Sequence, residues 1–280
     1  MQPSIFEAHR DMDPRFPIIF HLDTLQGPAQ SGEALHWHED VELLFCIQGE
    51  GCVLSNASRI PMKEGELAVV NANHLHMVLA EGLCRYYCLI VGKALTQGLD
   101  LPLGEFLLQE RIAAPEIQTR FQCIIREMEE RQPYYKPAVL AEVAALSALI
   151  CRSYAAGEDA PQNARRDNRV EMVKSAVAYI RANCAQELSV DEICRHAGFS
   201  KYYFCRTFKE ITGFTVVGYI NFLRCQNARA LLSSGEYNIS ESAERSGFHN
   251  MSYFTRTYKA LMGGLPSEQR ESLRRKEQKP

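Results

Sequence analysis

The chain has 280 residues, enough for two domains with separate cores, and a formal net charge of −3. Residues 1–167 hold 14 Lys and Arg against 23 Asp and Glu, a balance of −9, whereas residues 168–280 carry +6. An acidic part joined to a basic part points to a polyanion partner for the second alone. Ten cysteines without a CxxC pair, in a chain of this length, argue against a disulfide framework. Cys194, Cys205 and Cys225 stand where a small helix-packing residue would serve. The N-terminus carries Glu7, Asp11 and Asp13 and shows no signal-peptide pattern. The most apolar stretch, Val139 to Cys151, contains Glu142 and is too short to span a bilayer. The expectation is a cytoplasmic protein with no membrane partner.

From about Ile18 to Val91, short apolar runs alternate with turn residues, as in an all-β domain. Val41 to Ile47 is a strand buried on both faces and closed by Gly49 and Gly51. Ser55 to Ser58 reads as a hairpin turn. Lys63-Glu64-Gly65 is another, before strand Leu67 to Val70, and Tyr86 to Val91 is a further strand.

This region contains His36-Trp37-His38, then Glu42, then Gly49, which matches the first motif of the cupin barrel. Gly65 to His76 resembles the second motif, with Asn71 and Asn73 replacing the usual proline and glycine. In a strand His36, His38, Glu42 and Cys46 share one face, and His76 joins from the facing sheet. Three imidazoles and a carboxylate suit Fe, Mn, Ni or Zn. The same residues also suit hydrogen bonding to a small polar ligand, or a structural role. The site expected is an effector pocket of His36, His38, Glu42 and His76, with no metal and no cofactor assigned. Trp37 faces the other way and packs.

The period then changes. Pro115 begins a helix with Ile117, Phe121, Ile124, Ile125 and Met128 on one face, and a second helix runs from about Pro137 to Tyr154. Helices within 115–154 either close the β domain or pair two subunits, and the two roles are compatible. Residues 155–167 mix Gly, Pro and charge without periodicity, so the expected division is a domain over 1–156, a linker over 157–167 and a domain over 168–280.

The last part reads as helical. Val173, Val177 and Ile180 share a face, and Ser189 with Glu192 has capping-box spacing. Gly198 ends that helix, Ser200 caps the next, and Thr215 starts a longer one with Val216, Ile220, Leu223, Ala228 and Leu231 on its face. Ser240 caps a short helix, and Asn250 caps the last.

Within it a segment is written twice. Residues 198–213 read GFSKYYFCRTFKEITG and residues 247–263 read GFHNMSYFTRTYKALMG. Tyr203, Phe204, Arg206, Thr207, Lys209 and Gly213 recur fifty positions on. The opening Gly-Phe pairs recur at forty-nine, so the second turn carries one extra residue, which alters its docking angle. Each copy reads as a turn before a basic, aromatic recognition helix. The exposed set is Lys201, Tyr202, Cys205, Arg206 and Lys209 in the first copy, after Ser200. In the second it is Met251, Ser252, Thr255, Arg256 and Lys259, after Asn250. Phe204 with Phe208, and Phe254 with Tyr258, anchor the helices. The connecting helix is roughly 25 Å long at 1.5 Å per residue. Two readers packed at its ends reach major grooves about 34 Å apart.

These residues resemble the AraC/XylS family of bacterial transcriptional regulators over about Leu188 to Arg270. The match includes both motifs, the connecting Tyr219 to Leu232, and Gly263-Gly264-Leu265-Pro266 with Arg270. The resemblance implies that Tyr202, Cys205 and Arg206, and then Ser252, Thr255 and Arg256, face bases. Cys194, Ser242 and Gln269 depart from the residues usual in the family at their positions. The expected fold class is α+β: an N-terminal cupin-like β-barrel with trailing helices, then an all-α domain with two helix-turn-helix motifs. The expected function is a sequence-specific regulator that binds double-stranded operator DNA under control of a small, sugar-like effector. It is expected to form a homodimer, with RNA polymerase a further candidate partner. The alternatives are a metal-dependent cupin enzyme, or a regulator without a small-molecule effector.

Overall fold

A computed structural model describes residues 12–27, 34–156 and 168–268. The linker expected over 157–167, and Gln269 with Arg270, lie outside the described residues. The chain divides at Asn168 into two compact units.

The first unit is an antiparallel sheet closed on one face by two helices. Its strands are β1 (Ile18–Gln26), β2 (Val41–Ser55), β3 (Ser58–Lys63), β4 (Leu67–Val70), β5 (His76–Leu79), β6 (Leu83–Val91) and β7 (Arg111–Ile112). A short helix α1 (Lys93–Gly98) follows β6, and α2 (Pro115–Glu130) and α3 (Tyr135–Ser153) follow β7. The order β1-β6-β2-β4-β7 forms one layer, while β3 and β5 pair with the far half of β2.

The long strand β2 makes this architecture. The expected stop at Gly49 and Gly51 does not occur, because β2 runs on to Ser55 with a register shift between Cys46 and Gln48. The bulge bends the strand from one layer into the other. At Gly49 (φ +77°) a Cβ would lie 1.9 Å from the Leu83 carbonyl oxygen, so only glycine fits there. The hairpin turn at Asn56 and the turn at Gly65 fall where the sequence puts them, both with positive φ.

Alternation along the strands separates two cores. Val41, Leu43, Phe45, Leu67, Val69, Leu89 and Val91 face outward. They pack against Ile117, Phe121 and Ile124 of α2 and Val139, Val143, Leu146 and Ile150 of α3. Phe45 stacks on Phe121 at 4.8 Å between ring centroids. Leu44, Cys46, Val53, Ala68, Val70, Tyr86, Cys88 and Ile90 face inward, between the layers. The helical hairpin therefore closes the domain, one of its two expected roles.

The second unit is all helix: α4 (Asn168–Asn183), α5 (Val190–Ala197), α6 (Lys201–Thr212), α7 (Val216–Ser233), α8 (Ile239–Arg245) and α9 (Met251–Met262). Ser189 Oγ accepts from Glu192 N at 3.2 Å, Thr215 Oγ1 accepts from Gly218 N at 3.0 Å, and Gly198 takes φ +76°. Two assignments need correction. Asn238, not Ser240, caps α8, in a capping box with Glu241, because the helix begins one residue before Ser240. Leu232, rather than Leu231, turns into the core of α7, beside Cys225 and Ala228. Among the described residues no helix is long and apolar enough to cross a membrane.

Candidate nucleic-acid interface and sensor cluster

The two repeated segments fold as α6 and α9, and their burial follows the sequence. Phe204 and Phe208 in α6 are buried, as are Phe254 and Tyr258 in α9. Lys201, Tyr202, Arg206 and Lys209 are exposed and Cys205 is half-buried. Met251, Ser252, Arg256 and Lys259 are exposed and Thr255 is half-buried at the matching places. Aromatic residues four apart fall on one face of a helix, which leaves the interleaved cations outside. Lys201, Tyr202, Cys205 and Arg206 line one concave surface with Val217 at the start of α7.

The copies differ in their polar bonds. Ser200 stands at the N-cap of α6 with extended backbone, but its side chain makes no capping bond. Asn250 does cap α9, its Oδ1 accepting from Tyr253 N at 2.9 Å. Arg206 Nε donates to Glu210 Oε1 at 2.8 Å, and Glu210 also accepts from Arg169 on α4. These two arginines hold the Glu210 carboxyl below its usual range, Arg206 chiefly through its hydrogen bond. Lys201 Nζ lies 2.9 Å from Asp191 Oδ1 on α5. In α9, Thr255 Oγ1 donates back to the Met251 carbonyl at 2.9 Å, so its hydroxyl proton is already in use. The i, i+4 spacing of Arg206 and Glu210 is legible in the sequence, whereas the contact with Arg169 depends on how α4 packs.

The turns differ more than the helices. After α5 the chain needs only Gly198, Phe199 and Ser200 to reach α6, and all three are exposed. After α8 the extra residue, His249, lets Ser246, Gly247 and Phe248 sink into the unit. Phe199 is 44% exposed, while Phe248 is 4% exposed and packs on Phe254 at 5.0 Å. Arg224 of α7 lies over the Phe248 ring and donates to the carbonyls of Cys184 (2.7 Å) and Gln186 (2.8 Å). One side chain thus joins the end of α4, the middle of α7 and the second turn. Nothing in the sequence pattern marked it.

In the sheet unit, His36, His38, Glu42 and His76 come together, all buried, with one potential ligand atom from each within 4.8 Å of the others. His36 pairs with His76 across an isolated antiparallel bridge, and β2 supplies Glu42 on its inward face. Glu42 Oε2 lies 2.9 Å from both His38 Nε2 and His76 Nε2, and Oε1 accepts from the Cys88 thiol at 3.2 Å. Burial pushes the Glu42 carboxyl up, but His76 and His38, by charge and hydrogen bond, outweigh it and hold it well below the carboxylate range. Cys46 faces the same interior but bonds the Gln48 and Gly49 carbonyls, apart from this cluster. The two unusual loop residues fit their places. Asn71 is buried with both ends of its amide on the Leu108 backbone. Asn73 takes the positive φ (+65°) that the usual glycine would.

Two family models match this chain: the AraC-like ligand binding domain over residues 25–149 and the helix-turn-helix domain over residues 193–272. The chain is similar to the uncharacterized HTH-type transcriptional regulator YdeC of Bacillus subtilis, 22% identical over 275 residues, covering 92% of each protein. It is 27% identical over 253 residues to the HTH-type transcriptional activator RhaR of Pectobacterium carotovorum, covering 85% of this chain and 86% of that one. Among solved structures it is similar to ToxT from Vibrio cholerae, at 12% identity and a TM-score of 0.46, covering 91% of this chain and 99% of that one. The chain belongs to the AraC family of transcriptional regulators, with a ligand-binding domain followed by a DNA-binding helix-turn-helix domain.

Proposed function

We propose that α6 and α9 enter successive major grooves of one asymmetric operator. Tyr202, Cys205 and Arg206, and then Ser252, Thr255 and Arg256, face bases. Ser200, Lys201, Lys209, Asn250, Met251 and Lys259 face the sugar-phosphate backbone. The observation that carries this is the repeat of one burial pattern in two helices, with cations at equal offsets from buried aromatic anchors. The 18 residues of α7 give a spacer of roughly 27 Å. The test is selection of binding sites from random duplexes by the full-length protein. Two different half-sites about one helical turn apart are expected. A palindrome of identical half-sites would contradict two unequal readers within one chain.

The sensor is the domain over 1–156, joined through 157–167 to the reader over 168–280. A small polar effector engages His36, His38, Glu42 and His76 and shifts an existing equilibrium between states that differ in operator affinity. The protein works as a cytoplasmic regulator rather than an enzyme. It forms a homodimer through α2 and α3, supported by the half-buried Ala144 and Ala148 that α3 leaves outside its packed stripe. RNA polymerase is the partner at promoters. Light scattering across a concentration series tests the dimer, and a monomer throughout would refute it.

A further inference from the structure

We propose that the sensor cluster is a binding site for a divalent first-row transition ion, held by His36, His38, Glu42 and His76. This narrows the effector of the ligand-binding domain to a chemical class, and it rests on reading that domain as the sensor. The donors are three imidazoles and one carboxylate from separate stretches of chain, converging within 4.8 Å. Such a set suits Fe, Ni or Zn better than the all-oxygen shells of Mg or Ca, or the thiolate shells that select Cu(I).

The surroundings suit ligation, because each ring is held from outside the cluster. His36 Nδ1 donates to the Ala34 carbonyl at 3.0 Å, His38 Nδ1 to the Asp40 carbonyl at 2.9 Å, and His76 Nδ1 to the His74 carbonyl at 2.8 Å. A carbonyl oxygen only accepts, so each Nδ1 carries a proton, which leaves Nε2 as each ring's ligand atom. Two of those Nε2 atoms, on His38 and His76, converge on a single oxygen of Glu42 at 2.9 Å each. The fourth donor is fixed from behind as well, since the Cys88 thiol holds the other oxygen of Glu42 at 3.2 Å. Partners that fix tautomer and orientation from outside the donor set are the regular companions of metal-binding histidines.

The test is titration of the chelator-treated, full-length protein with Co(II), followed by visible absorption and by metal content after desalting. One Co(II) per chain is expected, with ligand-field bands and no sulfur-to-cobalt charge-transfer band. His38→Ala and His76→Ala should each weaken binding by about ten-fold or more, while His196→Ala should bind like the parent. Glu42→Gln preserves shape and removes only the charged donor, so it serves if an alanine variant fails to fold. Uptake of no ion by the folded protein at micromolar Co(II) or Zn(II), a thiolate band, or undiminished binding in a folded His76→Ala or Glu42→Gln variant would overturn the assignment. Operator affinity of the metal-free protein is read in parallel. A protein that binds operator but no ion loses the metal site and keeps the regulator reading.

Discussion

Arg206 donates to Glu210 at 2.8 Å, and the equivalent place four residues beyond Arg256 is Ala260. The two arginines that match in the repeat thus differ in freedom. Glu210 holds Arg206 in place and also sets a negative charge beside the proposed DNA-facing surface. Glu210→Ala should strengthen binding to all duplexes about two- to three-fold at low salt, with the gain vanishing at high salt. Anisotropy titrations over a salt series check this, and weaker binding would mean that Glu210 is needed to aim Arg206.

Arg256→Ala and Arg206→Ala should each lower affinity for the selected operator by on the order of ten-fold or more, while changing affinity for random duplexes far less. Lys209→Ala and Lys259→Ala should lower both alike and flatten the salt slope by about one unit each. Equal operator affinity in both arginine variants would remove those residues from the groove.

Gly247 has φ +91°, and a Cβ there would meet Arg224 Nε and the Cys184 carbonyl oxygen at 2.8 Å. Gly247→Ala should therefore destabilise the reader by about 1–3 kcal/mol, since strain and crowding act together. Arg224→Ala should cost a similar amount, because two carbonyls lose their donor. Urea unfolding followed by circular dichroism measures both.

Ser242 is fully buried on α8, and its hydroxyl has no hydrogen-bond partner among the described residues. Ser242→Ala should raise stability by roughly 1 kcal/mol by removing an unsatisfied buried group. A lower unfolding midpoint would show that the hydroxyl is bonded.

Phe248→Ala should cost about 3 kcal/mol, as truncation of a buried aromatic does. Phe199→Ala at the matching place should cost under about 1 kcal/mol, because that ring is exposed and its neighbour Tyr203 is exposed too. The unfolding midpoints of the two variants give the comparison directly.

Much of this was legible because it depends on local period and spacing. The anchors of α6 and α9, the start of α2 at Pro115, and the caps at Ser189, Thr215 and Asn250 follow from rules that act within a few residues. Single-strand parity predicts His36, His38 and Glu42 on one face, but His36 and His38 precede β2, and the cluster forms instead through the isolated bridge from His36 to His76. What escaped depended on distant partners. The passage of β2 through Gly49 is decided by the Leu83 backbone across the sheet. Arg224 looked like any helix arginine until α4 and the second turn met around it. The extra residue was visible, but its effect on Phe248 was not, because a turn's path is set by what it can bury.

The alternation along β2 has a mechanical consequence. Glu42 holds the inward cluster, while its neighbours Val41 and Leu43 stand against the packing that α2 and α3 complete. Peptide planes are stiff and both cores are close-packed, so any displacement of Glu42 carries its neighbours with it. A ligand bound at the proposed site would have a single peptide unit to move on either side. The strand would then work as a lever, with the cluster on one face and the helical hairpin resting on the other.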